Sequence, residues 1–288
     1  MIHRERLALQ AVHSALRMRV RLGRPLDRAV CPYDLAIAMG IALRFVAIPS
    51  FEGMYRTGSR PMVVLNSLRP AGRRAFNCAH ELGHHAFNHG DSIDELLERA
   101  EDEERRDPKE FAANRFAAAL LMPKIAVERA FAQRGWDLRT PTPAQVYLVA
   151  GYLGVGYTTL VSYMQGTLRF VSLTHAKMLR RYAPKDIRFG IVGAGVPYDL
   201  VVVDEMWEGR PIDLEVGDVA LLPDRCSVEG TSLEVGALPS PRLVRAAAPG
   251  ISQILFPSNQ NSLSVRVSRR EFTGLAQYRH FEDSDDDD

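Results

Sequence analysis

Three observations on the 288-residue chain predict an α+β fold in three parts. A histidine-rich helix around residue 80 follows strand-like runs and precedes further helices. Residues 142–164 have the spacing of two helices around a tight glycine turn. After residue 185 come short alternating apolar runs separated by Gly, Pro and Asp, the pattern of a small all-β sandwich or barrel. The expected parts are residues 1–135, a helical module over 136–184, a β-rich domain of open role over 185–281 and an acidic tail over 282–288.

Composition bounds the function. With 46% hydrophobic and 25% charged residues the chain can bury a sizeable core and is neither disordered nor fibrous. A net charge of +1 gives no overall field that would attract nucleic acid. Cys31, Cys78 and Cys226 are an odd, scattered set without a Cys-x-x-Cys pair, which argues against a disulfide framework and a thiolate zinc site and fits reducing surroundings. The charged start MIHRERLALQ lacks the apolar core of a signal peptide, and no later run reaches the roughly eighteen apolar residues of a membrane span. A soluble, cytoplasmic protein is expected.

In chain order, residues 3–22 predict a helix, with Leu9, Val12, Leu16 and Val20 three and four apart among arginines suited to a solvated face. Pro32 to Met39 reads as a second helix ended by Gly40, and Arg44 to Pro49 as a strand. Glu52 to Gly58 looks like a turn at a sheet end. Residues 62–66, Met-Val-Val-Leu-Asn, form either an edge strand able to pair with an extended peptide or a core strand.

The chain is organised around Asn77-Cys78-Ala79-His80-Glu81-Leu82-Gly83-His84-His85-Ala86. On a helix, residues four apart lie on one face, so His80 and His84 can direct a ring nitrogen at one zinc ion. Glu81 is placed to act as general base, taking a proton from a water whose pKa the metal has lowered to about 7. Phe76, Ala79, Gly83 and Phe87 recur at core spacing, and Gly83 lets another backbone approach closely. Twenty-six residues after His84, Glu110 is a candidate third ligand. Asn114, one turn later, is placed to hydrogen-bond a ligand's remaining polar atom, and Ala113 leaves room for a close helix. A competing reading makes Asp107-Pro108-Lys109-Glu110 a capping box that needs no metal. Tyr55, His85 and His89 are rival candidates for stabilising an oxyanion, although an additional His or Tyr near such a helix is more often structural.

The stretch HELGHHAFNHG followed by EFAANRFAAALLMP resembles the ImmA/IrrE family of zinc-dependent regulatory metallopeptidases. Both halves match in order and spacing, and the resemblance extends back through Phe51 to Tyr55 and Val63 to Asn66, about the first half of the chain. It implies a zincin-like metallopeptidase domain with His80, His84 and Glu110 as zinc ligands and Glu81 as catalytic acid/base. The implied substrate is a cytoplasmic helix-turn-helix repressor of stress-response or mobile-element genes. The contrasting reading is a non-enzymatic transcriptional regulator or antitoxin-like binding protein with a structural zinc, and an intact Glu81 argues against it.

Beyond the histidine helix, residues 91–107 are strongly acidic and read as a flap or a solvated helix. Helices are expected from Pro108 to Met122 and Lys124 to Arg134. Thr142-Pro143 opens Ala144 to Leu153, and Gly154-Val155-Gly156 leads into Tyr157 to Met164, a helix-turn-helix-like spacing. The second helix offers Tyr157, Thr158, Thr159 and Ser162 but no Arg or Lys, so packing or partner binding is preferred over contact with DNA. Ser172 to Ala183 reads as another helix. Strands are expected at 187–191, 199–203, 212–216, 219–222, 251–256 and 263–267, in a region suited to ligand sensing, partner binding or restraint of the first domain. Ser284 to Asp288 read as disordered.

Overall fold

A computed structural model describes residues 2–95, 107–196, 198–207, 209–236, 240, 242–257 and 262–281. The acidic stretch 96–106 and the tail 282–288 lie outside the described residues. The architecture is mixed α and β, with three mixed sheets.

Helices α1 (Ile2–Arg21) and α2 (Pro32–Ala38) lead into β1 (Ala42–Val46), β2 (Phe51–Arg56), β3 (Met62–Asn66), the histidine helix α3 (Ala71–Phe87) and β4 (Ser92–Glu95). Helix α4 (Pro108–Leu121) brings Glu110 and lies against both α1 and α3. Leu82 of α3 and Phe116 and Leu120 of α4 are fully buried, and each contributes roughly 1.5–3 kcal/mol by leaving water. The expected closeness of these helices is realised at Gly83, where an added Cβ would stand 2.9 Å from the Ala113 Cα.

The first sheet has the order β13-β1-β3-β2-β4, closed at one side by β13 (Gly274–Leu275), which returns from the far end of the chain to pair antiparallel with β1. Two expectations change here. Residues 51–56 are a full strand rather than a turn, hydrogen-bonded to β3 on one side and β4 on the other. Strand β3 is interior, between β1 and β2, so the edge role passes to β4, the outermost described strand beyond β2.

Helix α5 (Lys124–Ala132) follows α4, and then α6 (Pro143–Leu153) opens on a complete capping box between Thr142 and Gln145. Gly154, at φ 72°, ends α6 in the left-handed region. The axis bends by 101° into α7 (Tyr157–Gly166), which buries Tyr157, Leu160, Val161 and Met164 and leaves Thr158 and Ser162 exposed. The turn is packed against the start of the histidine helix: a Cβ on Gly72 would stand 2.6 Å from the Gly156 backbone nitrogen. Helix α8 (Leu173–Leu179) precedes α9 (Pro184–Val192), which corrects the strand expected at 187–191. Pro184 at the first turn and left-handed Gly193 at the end set those helix limits.

The remaining strands build two four-stranded sheets. One has β5 (Leu200–Val202), β7 (Val219–Leu221), β10 (Leu243–Ala246) and β9 (Leu233–Val235) side by side; the other runs β6 (Ile212–Glu215), β12 (Ser262–Ser268), β11 (Gly250–Leu255), β8 (Ser227–Glu229). A single hydrophobic cluster reaches from Ala11 through Leu82 and Leu153 to Val265. Among the described residues, no single helix is long and apolar enough to cross a membrane.

Candidate metal centre

The centre is assembled by two helices. From α3, His80 and His84 stand one turn apart and are 5% and 1% exposed. From the first turn of α4, the Glu110 carboxylate reaches between them, with Oε2 3.1 Å from His80 Nε2 and Oε1 3.3 Å from His84 Nε2. The two Nε2 atoms are 3.0 Å apart. Four ligands tetrahedrally arranged at about 2.0–2.1 Å from an ion stand about 3.3 Å from each other, so these three donors fit a zinc ion between them. Among the described residues this is the one group of three or more His, Cys or carboxylate side chains whose ligand atoms converge within 4.8 Å.

Glu110 is therefore turned to the histidines, while Asp107 alone supplies the side-chain cap of α4, accepting from the Lys109 backbone N–H at 2.7 Å. Partial burial raises the Glu110 pKa, but hydrogen bonds from His80 and His84 outweigh this and hold it well below the usual carboxylate range. Asn114 lies one turn further on, with its Oδ1 2.9 Å from His80 Nδ1, and accepts from that ring nitrogen. His89 approaches the other histidine from behind, its Nδ1 3.2 Å from His84 Nδ1. Burial, then the neighbouring His84 and Lys109, lower the His89 pKa to about 4. The other two oxyanion candidates meet each other: the Tyr55 hydroxyl is 2.7 Å from His85 Nδ1, and burial lowers the His85 pKa.

Glu81 is fully buried beside His80. Its Oε2 accepts from the Ser92 hydroxyl at 2.9 Å, and its Oε1 faces Gly53, where a Cβ would come within 2.6 Å. Sequence reasoning missed Ser92 as a partner of the carboxylate, because a serine in an acidic stretch carries no periodic signal. It also missed Glu52, buried in β2, whose carboxylate is ion-paired with Arg69 at 2.8 Å and accepts from Arg73 Nε at 2.9 Å and Asn77 Nδ2 at 2.9 Å. That cluster ties the first half of α3 to the sheet. A cleft of about 1630 Å³ runs from His80, Glu110 and Asn114 past Asn77 and Glu52 to Glu215 and Arg270.

With both helices placed, the comparison with known families decides the identity of this region: residues 38–162, spanning β1 to α7, match the IrrE N-terminal-like domain of the M78 peptidases. Residues 38–162 are an IrrE N-terminal-like domain, which agrees with the expected resemblance of this region to the ImmA/IrrE family. The IrrE-like domain thus includes α3 and α4 and the paired helices α6 and α7. Among solved structures, a Mycobacterium tuberculosis transcriptional regulator is similar at 19% identity with a TM-score of 0.37. That similarity covers 56% of this chain and 46% of the regulator, so it spans less than half of the regulator's length. No curated protein matches the chain.

Proposed function

We propose that the protein is a zinc-dependent endopeptidase of the cytoplasm that cleaves a helix-turn-helix repressor and so controls stress-response or mobile-element genes. The observation that carries the hydrolase reading is the convergence of His80, His84 and Glu110 with the buried Glu81 in the same turn of α3. A zinc ion held by these three residues would supply Lewis acidity, polarising a scissile carbonyl and acidifying a water. Glu81 accepts the proton of the attacking water and delivers it to the leaving amine nitrogen. Asn114 orients His80 through its Nδ1. Tyr55, its phenol held by His85, is the residue offered for the oxyanion. The outer strand β4 aligns the substrate by backbone pairing, a role supported by Ser92, which touches Glu81 from that strand. The repressor as substrate is carried by the family alone.

The bend between α6 and α7 fits a helix-turn-helix, but its turn lies against Gly72 of α3, and the exposed Thr158 and Ser162 bring no cation. These features favour a supporting or partner-gripping module over a regulator that reads DNA. Gel shifts on neighbouring promoters should show no sequence-selective, salt-sensitive binding; a shift lost on Thr158 or Ser162 substitution would favour the regulator.

The deciding experiment is Glu81→Gln. Glutamine keeps the shape but cannot take a proton, so the variant should retain zinc and fold while cleavage falls by about two to four orders of magnitude. The same variant, used as bait, should capture the substrate intact. Wild-type cleavage rates from a zinc-loaded Glu81→Gln protein would rule out the mechanism.

A further inference from the structure

We propose that His89 is a positioning residue for the metal ligand His84: its Nδ1 accepts the Nδ1–H of His84 and so fixes that ring in the orientation and tautomer that present Nε2 to zinc. The inference rests on the zinc reading above and assigns a residue that this reading leaves without a role.

The chemistry fixes the direction of the hydrogen bond. A neutral imidazole has one protonated and one bare nitrogen, so a ring that offers its Nε2 lone pair to an ion carries its proton on Nδ1. On His84 that proton faces His89 Nδ1 at 3.2 Å. His80 is arranged in the same way, its Nδ1 facing Asn114 Oδ1 at 2.9 Å. Each ligand ring is thus oriented from behind by a neutral acceptor, one from α4 and one from the end of α3 itself.

Local structure explains how a residue five positions after His84 reaches back to it. Asn88 ends α3 in the left-handed conformation, φ 51° and ψ 46°, one of the few non-glycine residues that adopt it at small cost. The chain therefore reverses at once, and the His89 backbone N–H donates to the His84 carbonyl at 3.1 Å, a Schellman-type closure. This brings the residue 89 ring over the last turn. Phe87 stacks on it with centroids 5.4 Å apart and planes inclined by 15°. Lys109 Nζ donates to the His89 carbonyl at 3.1 Å, joining the end of α3 to the residue before Glu110. The ring is thus held by backbone, stacking and a neighbouring helix, as an orienting group must be.

The test measures zinc binding by competition with a chromophoric chelator, together with long-range ¹H–¹⁵N spectra of the histidine rings in zinc-loaded protein. His89→Ala should weaken zinc affinity roughly 10–100-fold, the usual effect of removing a group that orients a ligand. His89→Gln, whose amide oxygen can accept the same proton, should recover most of that loss. In the spectra, the His84 Nδ1–H should be hydrogen-bonded and slow to exchange in the wild type and should exchange faster in His89→Ala. Unchanged affinity and unchanged Nδ1–H exchange in His89→Ala, or a folded His89→Gln no better than alanine, would overturn the assignment while leaving the metal centre standing. A wild-type protein that binds no zinc would remove the metal-centre reading and this proposal with it.

Discussion

Glu81 depends on a residue that has no side chain. Gly53 on β2 lies so close that a Cβ there would stand 2.6 Å from Oε1, while Ser92 holds Oε2 from β4. Gly53→Ala should therefore displace the carboxylate without touching His80, His84 or Glu110. Zinc content should stay at the wild-type level, and kcat/KM should fall about 100-fold, the usual effect of a misplacement near 1 Å. Full activity in Gly53→Ala would show that the base is not held where we place it. For the ligands, elemental analysis should find most of the metal gone from His80→Ala and His84→Ala and reduced in Glu110→Gln. The convergence of His80 and His84 was legible in the sequence because helical spacing alone puts residues four apart on one face. The Gly53 contact was not, since it depends on how far β2 stands from α3, and a glycine between polar residues reads locally as a turn.

Helices α3 and α4 carry different members of the proposed ligand set, so their separation controls the proposed centre. Gly83 meets the Ala113 backbone, with a built Cβ 2.9 Å from Cα and 3.2 Å from the carbonyl oxygen. Neither atom can move without moving the helix. Gly83→Ala should cost roughly 1–3 kcal/mol of stability, as overpacking does, and should weaken zinc binding by drawing Glu110 away from the histidines. Thermal melts with and without zinc would measure both effects, and a variant as stable and as zinc-avid as wild type would contradict the close-packing argument. The small residues at 83 and 113 announced this contact in the sequence. Other elements gave weaker signals. Ile187, Phe189 and Ile191 alternate like a strand, yet Pro184 and Gly193 bracket a helix that buries Ile187 and exposes Phe189. Strand β4 has one apolar residue with a described side chain, Ile93, which is itself exposed, so no alternation marks it.

At the scale of the whole molecule, the IrrE-like domain is joined to the last sheets by contacts that no local pattern predicts. Strand β13 is two residues long, and its pairing with β1 spans most of the chain. Arg74, on the helix that carries the histidines, donates to Glu215 of β6 at 2.6 Å, both side chains being largely buried. Arg270 stands 3.5 Å from the other Glu215 oxygen and also contacts Asp218 at 2.7 Å. Burial pushes the Glu215 pKa up, and the Arg74 guanidinium opposes that rise. A pair of this kind is costly to break and cheap to replace, because removing one partner strands the other charge away from water. Arg74→Met and Glu215→Met should each destabilise the protein by about 3 kcal/mol, whereas the double substitution, which removes both members of the pair and leaves Arg270 with Asp218, should cost clearly less than their sum. Urea unfolding of the four proteins closes the cycle. Additive losses would mean that the two side chains are not coupled; a positive coupling would establish an energetic link between the helix that carries His80 and His84 and β6. Through such a link, anything that shifts the C-terminal sheets would bear directly on the helix that carries His80, Glu81 and His84.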